Sequence, residues 1–301
     1  MAGLSVTKVT LLTSLAMVAF AANSVLNRIA LAEGEADALT YTGVRLASGA
    51  LMLVLILAWR GAGPHRGRIG GSNGGAAALF LYAIAFSYAY LALGAGTGAL
   101  LLFAAVQFGM LGWAVGKGDR PGAYEWAGFG AAMLSLLMLL APGLTAPDPL
   151  SALLMIVAGF VWAAYSLIGR GSAAPLADTG GNFLRCLPVA TLMILPGLLL
   201  ATASLAGWLY AIASGALASA LGYAIWYSVL PALERSTAAY VQLTVPAIAA
   251  AGGVVFIGEP LTPRLVVCSV GILGGLGLAL WGAEARRRKA SRARAAATQE
   301  P

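Results

Sequence analysis

Apolar residues fill the chain in long blocks broken by short polar breaks. Ten blocks approach the ~20 residues that a helix needs to cross a bilayer core of ~30 Å. They cover 9–31, 39–59, 75–93, 97–116, 123–141, 150–169, 182–202, 206–227, 236–257 and 263–283. The breaks between 93 and 97 and between 202 and 206 leave room only for tight turns, so the flanking helices must run antiparallel. The pattern predicts an all-α integral membrane protein. The first block, with Lys8 before it and Ala19-Phe20-Ala21 within it, has some marks of a signal peptide. Its apolar run continues past that site to Leu31, so it reads as the first transmembrane helix.

The pattern is written twice. Phe20 to Arg28 holds an aromatic residue, two alanines, a polar residue, a serine and an arginine four residues on; Trp162 to Arg170 repeats this 142 positions later. Arg45 answers to Arg185, Tyr82 to Ser87 answers to Tyr223 to Ser228, and Thr97-Gly98-Ala99 answers to Thr237-Ala238-Ala239. Self-similarity at a long period fixes architecture. It divides the chain into a first repeat at 1–146, a second at 147–284 and a basic tail at 285–301. Five helices per repeat is an odd number, so the second repeat is expected upside down relative to the first. Two inverted repeats are a transporter arrangement, with a substrate site near the midplane at the repeat interface.

Composition sharpens this. Residues are 60% hydrophobic and 10% charged, where a soluble domain carries about a quarter charged residues. The net charge of +7 does not indicate nucleic acid, because the basic residues sit in loops and a tail beside apolar segments. With ten spans, fifteen of the eighteen Lys and Arg residues fall on one side. The positive-inside rule then puts both termini in the cytoplasm of a bacterial inner membrane. The tail from Glu284 through Arg294 is expected to be a disordered basic anchor on anionic lipid headgroups. Cys186 and Cys268 lie in apolar runs without metal-ligand spacing, and no cofactor is indicated. No constellation of His, Cys and acid suggests an enzyme. A non-transporting scaffold and a channel are the other rivals to a carrier.

Thr244-Val245-Pro246 in mid-helix, then Phe256-Ile257-Gly258-Glu259-Pro260-Leu261-Thr262 and a Gly-rich last helix, resemble the EamA-type branch of the drug/metabolite transporter superfamily. The likeness covers the chain to about residue 283. In the first repeat Gln107 replaces the proline, and Gly116 to Arg120 is a degraded form of the Gly-Glu turn. The aromatic-rich spans look like the exporters of aromatic amino acids and methyl viologen within that branch. The resemblance implies export of neutral amino acids or similar metabolites through a cavity lined by the first, third, fourth, sixth, eighth and ninth helices. It also implies a monomer that needs no partner beyond its small-molecule substrate and the lipid.

Polar and aromatic residues within spans are the candidates for binding, since polar groups inside a bilayer usually face the bundle interior. Asn23 and Asn27 lie four apart on one face of the first span. Gln107 is expected to face the cavity. Tyr82 and Phe86 form one stripe, Tyr223 and Tyr227 its repeat, and Trp162 and Tyr165 a third; Tyr240 opens the ninth span. Such rings suit large apolar side chains, or flat organic cations through cation–π contact. Pro246 deletes a backbone hydrogen bond and is the candidate gate. Arg28 and Arg45 read as ion-paired, snorkelling anchors near the outer surface, with attraction of a substrate carboxylate as the alternative. Arg170 and Arg185 mirror them at the inner surface. No cation at mid-membrane counts against sugar nucleotides. No carboxylate there suggests facilitated diffusion without obligatory proton coupling, with a proton-coupled multidrug or organic-cation exporter as the alternative.

Overall fold

The computed structural model describes residues 5–61, 70–143 and 145–297. These fold into helices and no strand, apart from one bridge between Ala36 and Ala203. The helices are α1 (Val6–Ala32), α2 (Ala38–Trp59), α3 (Asn73–Ala89), α4 (Ala95–Gly116), α5 (Ala123–Leu140), α6 (Pro149–Ile168) and α7 (Pro175–Leu199). Then come α8 (Leu205–Ala232), a broken α9 (Arg235–Gln242 and Val245–Gly252, running on through Gly253–Ile257) and α10 (Pro263–Ala297). Among the described residues, nine helices are long and apolar enough to cross a membrane; α3, apolar but 17 residues long, is shorter. The basic-loop residues His65, Arg66 and Arg68 lie outside the described residues.

Local chemistry sets the helix starts. Ser5, Asp37, Ser72, Asp148 and Ser204 each accept a backbone N–H with their side chains, satisfying donors that a helix start leaves free. Pro175 occupies the first turn of α7, where its missing N–H costs nothing.

Helices pack in matched pairs. α3 and α4 pack on α6, as α8 and α9 pack on α1; α2 packs on α7, and α5 on α10. The loops join in the same way. At one end the α1–α2 loop grips the α7–α8 loop: Thr202 Oγ1 donates to Asp37 at 2.5 Å, Ser204 to Glu35, and the backbone N–H of Asp37 to Thr202 O. At the other end the α2–α3 loop meets α7, where Asp178 accepts from Gly71 N at 2.7 Å and Asn182 from Ser72 N at 2.9 Å. The guanidinium of Arg185 also donates to the carbonyls of Gly70 and Gly181.

One expectation is corrected by the last helix. Residues after Trp281 were expected to be a disordered tail, but α10 continues to Ala297. Ala, Arg, Lys and Glu are strong helix formers, and side-chain pairs fix the extension. Arg288 pairs with Glu284 at 2.8 Å one turn back, and Arg286 forks across Glu125 (2.8 Å) and Asp119 (2.7 Å). The Arg286 contact holds the Asp119 carboxyl below its usual range.

Asp37 gives the first prediction. Burial pushes its carboxyl up, but hydrogen bonds from Thr202 and Thr40 outweigh this and hold it below its ordinary value of 3.8. Its contribution is therefore present at neutral pH and lost only as pH falls through that depressed value. Asp37→Ala removes a cap and a loop clamp, and about 1 kcal/mol of lost stability is expected. Thermal unfolding in detergent should show a lower midpoint at pH 7, and a smaller difference between variant and wild type near pH 3.

Candidate functional site

A cavity of about 420 Å³ lies among α1, α3, α4, α6, α7, α8 and α9. Its lining runs from exposed Gly169, Arg170 and Gly171 at one end of the bundle to buried Asn23, Ser24, Tyr82 and Phe86 midway along it. It therefore opens at the Arg170 end. Toward the opposite end the bundle is filled by Phe86, Tyr90 and Leu93, each at most 1% exposed.

The wall is a chain of rings. Trp162 sits at its centre, 4.6 Å from Tyr82, 4.9 Å from Tyr165 and 6.0 Å from Tyr223, the last two nearly parallel to it. Tyr223 continues to Tyr227 at 6.1 Å and to Phe20 at 5.7 Å, and Phe20 meets Trp226 at 6.2 Å. Helical spacing of three or four residues puts Trp162 with Tyr165, and Tyr223 with Tyr227, on one face, and helix packing brings the other pairs together. The repeat motif thus places Phe20 and Trp162, aromatic in both copies, in the same cavity wall.

Polar groups punctuate the rings. Asn23 Oδ1 accepts from Ser214 Oγ at 2.8 Å and Ser219 Oγ at 3.2 Å. Both serines belong to a π-helical stretch of α8, Ala213–Leu221, a local widening often found at functional sites. On its other side Gly215 lets this stretch close on α2, where a Cβ would run into Arg45 O. On α7, Thr179 Oγ1 lies 3.4 Å from the hydroxyls of both Tyr165 and Tyr227, and Asn182 Nδ2 lies 3.4 Å from Tyr165 Oη.

Of the sequence candidates, Asn23, Tyr82, Phe86, Trp162, Tyr165, Tyr223 and Tyr227 line this one cavity. Asn27 is fully buried outside the lining, donating to Asn23 O at 2.7 Å and accepting from Ser87 Oγ at 3.3 Å, which ties α1 to α3. Gln107 and Tyr240 are half-buried and outside the lining; Tyr240 lies near Glu284 and Arg288 of α10. Pro246 is buried in the first turn of the second piece of α9, just past the break at Leu243 and Thr244, and Gln242 reaches the cavity from the other side of that break.

The seventh helix supplies lining that the segment boundaries concealed. Asp178, Thr179 and Asn182 were assigned to a loop and a span end, but α7 begins at Pro175 and carries all three into the cavity wall. The signal was the Pro at a helix start followed by polar residues three and four apart. Of the two outer arginines, one reading changes. Arg28 is ion-paired: its Nε meets Glu259 at 3.0 Å, and Glu259 also accepts the Ala95 N–H at 2.8 Å. Arg45 does not snorkel. It is 3% exposed, with its guanidinium 5.0 Å from the Phe86 ring and 5.5 Å from the Tyr82 ring. A cation therefore does stand inside the bundle, and the argument against anionic substrates falls. Among the described residues no group of three His, Cys, Asp or Glu side chains could hold a metal ion.

An all-helical, multi-pass bundle around a ring-lined, single-mouthed cavity is the build of a membrane transporter. Residues 149–281 match the EamA-like transporter family. The uncharacterized protein PA1977 of Pseudomonas aeruginosa is 50% identical over 272 residues, which are 90% of this chain and 93% of that protein. The second half of the chain is thus similar to the EamA-like transporter family, and nearly the whole chain groups with that Pseudomonas protein. A crystal structure of another protein, 18% identical, matches with a TM-score of 0.60 over 88% of this chain and 97% of that one, a likeness of fold.

The ring chain has a spectroscopic consequence. An aromatic solute entering the cavity should shift tryptophan emission. Trp162→Phe should lose most of that shift, whereas Trp281→Phe, which alters an exposed ring against Tyr124, should keep it. Fluorescence titration in detergent measures both.

Proposed function

We propose that the chain is an inner-membrane carrier that exports amino acids, aromatic or otherwise neutral, and similar small metabolites by alternating access. The carrying observation is the ring-lined cavity, open at one end and sealed at the other. Its rings offer apolar faces for a large side chain, while Asn23, Thr179, Asn182 and the tyrosine hydroxyls offer hydrogen bonds to a polar head. In this reading α3 counts as a tenth crossing and the two halves are inverted repeats, a view supported by the matched helix pairs and loop clamps. The Arg170 end, with both described chain ends, faces the cytoplasm. The protein works as a monomer, by facilitated diffusion without obligatory proton coupling and without a cofactor.

Repeat logic supplies the gates. Arg28 and Glu259 latch the sealed end. Their repeat counterparts at the open end are Arg170 and Asp119. Asp119 is held by Arg286, and no ion pair engages Arg170 among the described residues. Closing the inner mouth would bring Arg170 toward this acid while the Arg28 latch opens, with the break before Pro246 as the hinge. Asp178 at the mouth is the observation that favours a second reading, an organic-cation exporter, although its carboxylate is engaged by Gly71 and Ser172.

Uptake into liposomes decides between these. Labelled Phe, Trp, Leu, Thr, Met and methyl viologen would each be offered with and without a pH gradient. Saturable amino acid uptake without a gradient is expected, falling about tenfold in Trp162→Ala, the equivalent of ~1.4 kcal/mol of lost contact. Uptake of methyl viologen alone, or only under a gradient, would replace the proposal with the second reading. For the latch, Ser87→Cys, fully buried in the sealed half, should be labelled faster by a membrane-impermeant maleimide once Glu259→Gln is added. An unchanged rate would remove the latch.

A further inference from the structure

The least expected group in the bundle is Arg45. It stands on α2, two turns in from the sealed end, on the far side of Tyr82 and Phe86 from the cavity. Its Nη2 donates to Tyr82 Oη at 3.2 Å, and its Nη1 is buried with no hydrogen-bond partner. No carboxylate pairs with it among the described residues; its electrostatic neighbours include the phenols of Tyr41, Tyr82, Tyr90 and Tyr223. One turn earlier on the same face, Tyr41 Oη is also buried without a hydrogen bond of good geometry, its nearest polar neighbour being Ser214 Oγ, which donates to Asn23 and can still accept. A buried guanidinium without a counter-charge is costly. An ionisable group inside a membrane bundle usually marks a substrate or ion path.

The geometry points to Arg45 as the anchor for a negatively charged group of the substrate, a carboxylate, which it receives when Tyr82 swings off it. This inference rests on the reading of the ring-lined cavity as the substrate's path. Tyr82 is the movable part: its ring faces the cavity, and its hydroxyl holds the only hydrogen bond the guanidinium makes to a side chain among the described residues. A carboxylate arriving along the rings can take over Nη2 from that hydroxyl and satisfy Nη1, giving the two-pronged pairing that a guanidinium favours. Tyr41 Oη, on the same face, can turn from Ser214 to complete the site. The apolar remainder of the substrate would stay among Phe86, Trp162 and Tyr223. Because Arg45 lies between the cavity floor and the sealed end, the same contact would hand the carboxylate toward that end as it opens.

The test uses the full chain in detergent and three matched probes: phenylalanine, 3-phenylpropionate and phenethylamine. Tryptophan fluorescence gives the affinities and thermal unfolding reports the fold. In wild type both carboxylates are expected to bind at least about tenfold more tightly than the amine, from a charge-assisted, two-pronged contact. Arg45→Met should bring the carboxylates down to the amine's level and leave the amine's affinity unchanged, and Arg45→Lys should restore part of the difference. Tyr82→Phe, which frees Nη2 but keeps the ring, should widen the carboxylates' advantage over the amine, and a narrowed advantage would overturn Tyr82 as the movable part. Equal weakening of all three probes in Arg45→Met would make Arg45 structural and overturn the inference. So would a wild type that binds the amine as tightly as the carboxylates, a result that stands even if Arg45→Met fails to fold. Arg45-dependent binding of 3-phenylpropionate with no amino acid uptake would sink the amino acid reading and keep this one. Amino acid uptake by Arg45→Met at the wild-type KM would do the reverse.

Discussion

The bundle depends on the cost of leaving a polar group unsatisfied where no water can reach it. Among the described residues, only Thr13, Thr40, Tyr41 and Arg45 bury a side-chain polar atom without a hydrogen bond. Asn23 gathers two hydroxyls from α8. Asn27 joins α1 to α3. Asn182 links a loop clamp to Tyr165. Such bonds between transmembrane helices are worth only ~0.6 kcal/mol each. Their value is in choosing which helix faces meet, because packing of Leu and Ala against one another is nearly as good in many orientations. Small residues then let the chosen faces close. Gly159, where a Cβ would meet Ala105 at 2.5 Å, brings α6 against α4.

The same rule gives the cavity its character. Rings can be left bare at low cost, while a bare amide cannot. The wall is therefore built of aromatic faces from α1, α3, α6 and α8, and its amides and hydroxyls are bonded to one another. In the proposed carrier, a substrate would meet an adaptable apolar surface with hydrogen-bonding groups that can be shared. The sealed half follows the opposite logic, with its inner space taken by Phe86, Tyr90 and Leu93 and its rim closed by the Arg28–Glu259 pair. Glu259 joins three elements there, meeting α1 through Arg28 and the first backbone N–H of α4 from its place after α9.

Arg45 is the charged group among the exceptions to the rule of satisfaction in the described residues, and it sits where the open and sealed halves meet. Two aromatic faces partly compensate its charge, and one phenol holds it. In the proposed carrier, the charge left over would give the cavity a preference that the rings by themselves lack.

The sequence by itself determined the helices, because length and hydropathy are local properties. It located each span to within a few residues, apart from α7, whose polar first turns passed for a loop, and the tail, whose helix is held by side-chain pairs. The repeated motif also marked Asn23, Tyr82, Phe86, Trp162 and Tyr223, since one helical face can be read from spacing. Only the tertiary structure decided which faces meet. Arg28 and Glu259 are 231 positions apart, and nothing in either stretch names the other as its partner. Gln107 and Tyr240 have the chemistry of lining residues, yet helix rotation turns them out of the lining. Arg45 looked like a surface anchor because its distance from the helix start is short, but the neighbouring α3 and α8 cover it. Rotation and coverage are set by the sum of many weak contacts between helices distant in sequence, and no local pattern encodes that sum.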